Sequence, residues 1–216
     1  MRAFRELFYD LKEMGINFAV VMSGCAVSLF LLILLYYTIG TSERLNITAL
    51  PLIQLLIPAS GGYGAVILMQ GILDTDGGEI YFTYPHPYIY WGVLRQLRFL
   101  IFFSIIVFLF TLPMSYFMCI EIQNLPIMIL PQSVAVMAVS FLGIAISRKV
   151  SIGLIFLLAF VGIQITLGQE YEAFNLIFVP FGSSLESADY GKIIINSIAI
   201  GILGFGVGQT FIKPRM

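Results

Sequence analysis

The sequence predicts an all-α polytopic membrane protein, a single transmembrane domain over residues 1–216 with six transmembrane helices. Three observations carry this. Hydrophobic residues make up 59% of the 216 and charged residues only 11%, where a soluble domain carries about 25% charged residues. The apolar residues come in runs of roughly 20, the length that crosses about 30 Å of hydrocarbon at about 1.5 Å per residue. The runs are continuous, whereas the strands of a membrane β-barrel alternate over about 10 residues.

The elements follow in chain order. Residues 1–14 place Phe4, Leu7, Phe8, Leu11 and Met14 on one stripe, with Arg2, Arg5, Glu6, Asp10, Lys12 and Glu13 on the remaining arc. A period near 3.6 predicts an amphipathic helix. Standing before a span, this elbow helix is expected to lie in the cytoplasmic headgroup plane, with Phe4, Phe8 and Leu11 as interfacial anchors. Packing on a soluble partner is its alternative. The first apolar run is too long for the h-region of a cleavable signal peptide, and Gly15 is expected to supply the bend into the first span.

The six spans fall at about 16–39, 50–73, 97–120, 125–147, 151–168 and 191–212. Pro51, Pro58 and the Ser60–Gly61–Gly62 cluster interrupt the second, which neighbouring helices can tolerate. Residues 169–190 carry Glu170, Glu172, Glu186 and Asp189 around an apolar centre, 174–181. Too short to cross, that centre is expected to form an interfacial or re-entrant segment in the outer leaflet. In the last span Gly204 and Gly208 make a small-xxx-small pair, expected to pack within the bundle rather than along a dimer seam.

Orientation follows from the basic residues. Nine of the eleven (Arg2, Arg5, Lys12, Arg95, Arg98, Arg148, Lys149, Lys213 and Arg215) fall on one side of a six-span arrangement, and Arg44 and Lys192 on the other. The positive-inside bias puts both termini and residues 77–95 in the cytoplasm. The expected location is the plasma membrane of a bacterium. Cys25 and Cys119 read as small apolar packing residues, and Asn46–Ile47–Thr48 is a glycosylation sequon on the outer side.

Enzyme chemistry is not expected. No span has a carboxylate, lysine or histidine at its centre, where such groups usually mark an ion or proton path. His86 is the only histidine, too few for a zinc site of several His or Cys donors, and its place in a cytoplasmic loop leaves Ser60 in the second span without a base. Gly191–Lys192 lacks both the first glycine and the hydroxyl of a phosphate-binding loop. No cofactor and no nucleic-acid partner are expected for this chain, and any energy it uses is expected to come from outside it.

Residues 77–99, GGEIYFTYPHPYIYWGVLRQLRF, stand out against this background. Pro85 and Pro87 stop a helix and pre-set the backbone around His86 and Tyr88. From Tyr88 the helical period resumes, with Arg95 and Arg98 closing the span at the interface. Two roles compete. Tyr88, Tyr90 and Trp91 suit an aromatic belt, while the density of Tyr, Trp and Arg suits a docking element for a cytoplasmic partner.

At these residues the chain resembles the membrane permeases of type-2 ABC transporters, mostly exporters. Such permeases have an interfacial elbow helix, six spans with both termini inside and a cytoplasmic coupling helix between spans two and three. A tight inner turn between spans four and five and a partly re-entrant outer segment before the last span complete the pattern. The counterparts here are 1–14, the six spans, 77–95, Arg148–Lys149 and 169–190. The local motif is also similar, with Glu79, Thr83 and Pro85 in register, although the flanking basic residues are replaced by Asp74, Thr75 and Asp76 before it and His86–Pro87–Tyr88 after it.

The resemblance implies a permease subunit of an ATP-driven exporter, with Glu79, Thr83, Pro85, His86, Pro87 and Tyr88 as the ATPase-coupling element. Trp91, Arg95 and Arg98 would then anchor it at the interface. It implies three partners: a separate ABC ATPase subunit that binds ATP and magnesium, a second permease copy or paralogue, and membrane lipid. The uncharged spans suit a hydrophobic or amphipathic cargo, such as a peptide, a lipid or a drug-like compound. Two other readings stay open, a substrate-binding membrane subunit of an energy-coupled vitamin importer and a non-transport immunity or assembly protein.

Overall fold

The computed structural model describes residues 2–39, 42–74, 88–118, 124–170, 178 and 190–212. Among them there are eight helices and no strand: α1 (Arg2–Met14), α2 (Ile16–Ile39), α3 (Ser42–Leu73), α4 (Tyr88–Trp91), α5 (Val93–Met118), α6 (Asn124–Ser147), α7 (Val150–Glu170) and α8 (Tyr190–Phe211). Among the described residues five stretches are long and apolar enough to cross a membrane: Ile16–Ile39, Ile47–Leu73, Ile89–Met118, Asn124–Ser147 and Gly191–Phe211. Within α7 the apolar stretch Val150–Thr166 is shorter. The chain is therefore a polytopic helical membrane protein, and its outer surface agrees. Phe30 on α2, Ile101 on α5, Leu158 on α7 and Ile202 on α8 are each more than 60% exposed, apolar faces that water would not tolerate over so wide an area.

Helix α1 has the strongest separation of polar and apolar faces, as its stripe predicts. Gly15 follows it in the left-handed conformation at φ 55°, the region glycine reaches without a Cβ clash. That residue turns the chain from α1 into α2. The prolines at 51, 58, 113 and 131 all lie inside helices. Helix α3 begins at Ser42, well before the apolar run, because the polar residues before Leu50 continue the same helix.

The centre of the bundle is the pair α3 and α6, with α2 packed on α3 and both α7 and α8 on α6. Small residues make these contacts close. A Cβ on Gly24 would collide with Ser60, one on Gly62 with Leu157, Ser140 and Val136, and one on Gly204 with the Ala138 backbone. Gly204 and Gly208 thus face α6 within the same chain, Gly208 lying on the Phe141 ring. Buried hydroxyls mostly bond back to their own helix: Ser28 to Gly24 O, Thr111 to Val107 O, Ser133 to Ile129 O and Ser140 to Val136 O. Between helices, Gln132 Nε2 donates to Gln54 Oε1 at 2.9 Å, and Gln96 Nε2 donates to Ala65 O at 2.8 Å.

Of the segment between α7 and α8, the structure describes Phe178. Its side chain is buried among Ala135 and Val136 of α6 and Leu157 and Val161 of α7. These residues lie midway along their helices.

Candidate functional site

The polar face of α1 does not simply meet water. Glu6, Asp10 and Glu13 stand at i, i+4 and i+7, which lines them up on one side of the helix. Opposite them, α5 presents Arg95 and Arg98, one turn apart in its first two turns. Arg95 Nε lies 2.9 Å from Asp10 Oδ1, and its Nη2 lies 2.5 Å from Glu13 Oε2. Arg98 Nη1 lies 2.8 Å from Glu6 Oε2, and its Nη2 lies 3.1 Å from Asp10 Oδ2. Asp10 thus stands between the two guanidiniums, accepting a hydrogen bond from Arg98 Nη2 and meeting Arg95 as an ion pair.

The pairs are not equally sheltered. Arg95 is buried at 2% exposure and Asp10 at 8%, whereas the Glu13 side chain is 39% exposed. Screening weakens a pair of that last kind. Burial pushes the Asp10 carboxyl above the usual carboxylate range, and Arg95 and then Arg98 pull it only partly back. Arg98 also stands over the Tyr90 ring, 5.0 Å from its centre, and Tyr90 meets Trp91 edge to face. The short helix α4 is in this way tied to α5 and, through Arg98, to α1.

Two further bonds sit at the same end of the molecule. The Val93 N–H, in the first turn of α5, donates to Gln209 Oε1 of α8 at 2.8 Å. The Val150 N–H, which opens α7, donates to Asp74 Oδ2 at 2.9 Å. A side-chain oxygen at a helix N-terminus satisfies an otherwise orphaned N–H, and here each comes from a different helix. Arg148 makes the turn from α6 into α7 in the left-handed conformation at φ 57°, its N–H bonded to Ile144 O as at many helix ends.

Residues 75–87 lie between these two attachments. Glu79, Thr83, Pro85, His86 and Pro87 fall outside the described residues, as does the side chain of Tyr88. Trp91 is partly buried against the main core. Arg95 and Arg98, read from the sequence as interfacial, are found paired with α1. On α1, Phe8 points outward at 65% exposure, Leu11 packs on the core and Met14 is buried. The side chain of Phe4 lies outside the described ones.

Sequence reasoning missed the ion network, the Gln209 and Asp74 links and the Gln54–Gln132 bond. One signal was available for the network: carboxylates spaced by four and three residues, and arginines spaced by three, each on a helix face at the same membrane edge. No protein-family model, no curated protein and no solved structure matches this chain.

Proposed function

We propose that the chain is the permease subunit of an ATP-driven exporter of the type-2 ABC class, with α7 as a sixth crossing. In this reading α1 is the elbow helix, its Phe8 in the cytoplasmic headgroup zone, and both termini are cytoplasmic. Residues 77–95, which include α4, form the coupling element for a separate ATPase subunit, which binds ATP and magnesium. The pathway lies between two permease copies or paralogues, and the cargo is hydrophobic or amphipathic.

The observation that carries this reading is the double attachment of the segment. Its first end is held to α7 through Asp74 and Val150. Its second end is held to α1 through Arg95 and Arg98 and to α8 through Val93 and Gln209. A push on the segment is therefore delivered to α1, α5, α7 and α8 together. A coupling element needs this property, since ATP binding can only shift the spans through contacts that differ between the two states. A belt of interfacial aromatics would need no such links.

The test is to purify the tagged chain from its native membrane with its partners. An ATPase subunit is expected to co-purify, and Glu79→Arg or Pro85→Ala is expected to lower both ATP turnover and export by the reconstituted complex. Export and turnover both unchanged would remove the coupling assignment.

A further inference from the structure

Helix α1 sorts its charges by sign. Glu6, Asp10 and Glu13 turn toward α5, where Arg95 and Arg98 hold them. Arg5 and Lys12 lie on the outer arc, and both are exposed. At about 3.6 residues per turn, Phe8, Lys12, Arg5 and Tyr9 follow one another around that arc within about 100°. The two aromatics that flank the cations are 65% and 60% exposed. Glu6 and Glu13 are the sequence neighbours of Arg5 and Lys12, but adjacent residues on a helix do not face each other. Among the described residues no carboxylate pairs with Arg5 or Lys12.

This arc sits at a membrane edge. Gly15 alone separates α1 from the stretch Ile16–Ile39, and Arg95 and Arg98 stand in the first turns of the stretch Ile89–Met118. Ile16, where the first of these begins, is 83% exposed. Tyr90 and Trp91 lie at the same level, aromatics of the kind the headgroup zone favours. Charge and shape then select what lies against the arc. Water would leave two aromatic rings unburied, and hydrocarbon would strip two unpaired cations of their hydration. The headgroup layer of an anionic membrane accepts both, rings at the acyl boundary and cations on the negative groups.

We propose that the outer arc of α1, formed by Arg5, Phe8, Tyr9 and Lys12, is a binding face for the headgroups of anionic phospholipids in the adjacent leaflet. The arginines of α5 make this possible. By taking up Glu6, Asp10 and Glu13 they leave the outer arc with two positive charges and no counter-charge on its own face. Each basic residue near an anionic surface raises the local preference for that lipid about fivefold. The proposal rests on the transport reading only for the placing of α1 at the headgroup level.

The experiment uses the full chain with p-benzoylphenylalanine in place of Tyr9, in vesicles that mix phosphatidylcholine with a minority of phosphatidylglycerol. After irradiation, mass spectrometry counts the adducts of each lipid on residues 2–14. Phosphatidylglycerol adducts are expected well above that lipid's share of the vesicle. Arg5→Gln and Lys12→Gln should each lower the enrichment about fivefold. Both side chains are exposed, so neither change disturbs the fold. Added salt should lower the enrichment as well, because exposed charges are screened. Arg44→Gln, an exposed residue across the first span from α1, should leave it unchanged. Adducts in the vesicle's own proportion, or an enrichment indifferent to both glutamine variants, would overturn the proposal. Cross-links to protein in place of lipid, or no adduct at all, would do the same. No ATP and no partner enter the measurement, so its failure leaves the co-purification test of the transport reading standing.

Discussion

Asp10 lies between two guanidiniums, yet its carboxyl is harder to ionise than a free aspartate's. Removal from water outweighs the attraction of Arg95 and Arg98. Because its value in the fold is raised, the favourable contribution of the protonated form is complete below the ordinary 3.8. That contribution is lost as pH rises through the raised value. Asn cannot titrate, so acidification from neutral pH should shift the difference in thermal midpoint between wild type and Asp10→Asn in favour of wild type. A difference constant with pH in detergent unfolding scans would contradict the direction. Arg95→Ala is the harsher change. It leaves Asp10 and Glu13 without their buried partner and should cost about 3 kcal/mol or more, read as a lowered midpoint and loss of monodisperse protein. The acidic arc on α1 was legible in the sequence, because helical period sorts faces. Its partners were not, because periodicity is silent about an arginine 82 or 88 positions away.

Among the helices, apolar runs announced themselves because each must match the bilayer, and the turns at Gly15 and at 148–149 were legible from the composition around them. Neighbour relations were not, since a helix that is apolar all round shows no preferred face. What decides them is shape. The Gln54–Gln132 bond between α3 and α6 is of a kind worth about 0.6 kcal/mol and at most ~1.7 kcal/mol inside a membrane. A glycine against backbone constrains more. A Cβ at Gly204 would lie 2.9 Å from the carbonyl carbon and oxygen of Ala138, and backbone cannot swing aside as a side chain does. Gly204→Leu should therefore prise α8 from α6 and cost at least the ~1–3 kcal/mol of an overpacked core. Gly206→Leu, two residues on and facing open space, should leave the stability within about 0.5 kcal/mol of wild type. Equal effects of the two would mean that α8 does not pack on α6 through this face.

At the scale of the whole molecule the two attachments of residues 75–87 differ in strength, and that difference makes the transport reading testable without touching the segment. The attachment at α5 is a network of buried ion pairs reinforced by the Gln209 bond. The attachment at α3 is the bond from Val150 N–H to an exposed Asp74. Cutting the strong end unfolds the site and confuses loss of coupling with loss of fold. Cutting the weak end removes one helix cap and leaves the α1–α5 network in place. If the transport reading holds, Asp74→Ala should keep the protein folded and bound to the proposed ATPase subunit while lowering the export obtained per ATP hydrolysed, because motion then reaches α7 only indirectly. Asp74→Asn keeps an acceptor for the Val150 N–H and should restore most of that yield. The measurement is the ratio of export to hydrolysis in reconstituted vesicles. If the ratio is untouched by Asp74→Ala, α7 is not driven through this link. If Asn fails where Asp succeeds, the charge rather than the cap is the operative feature.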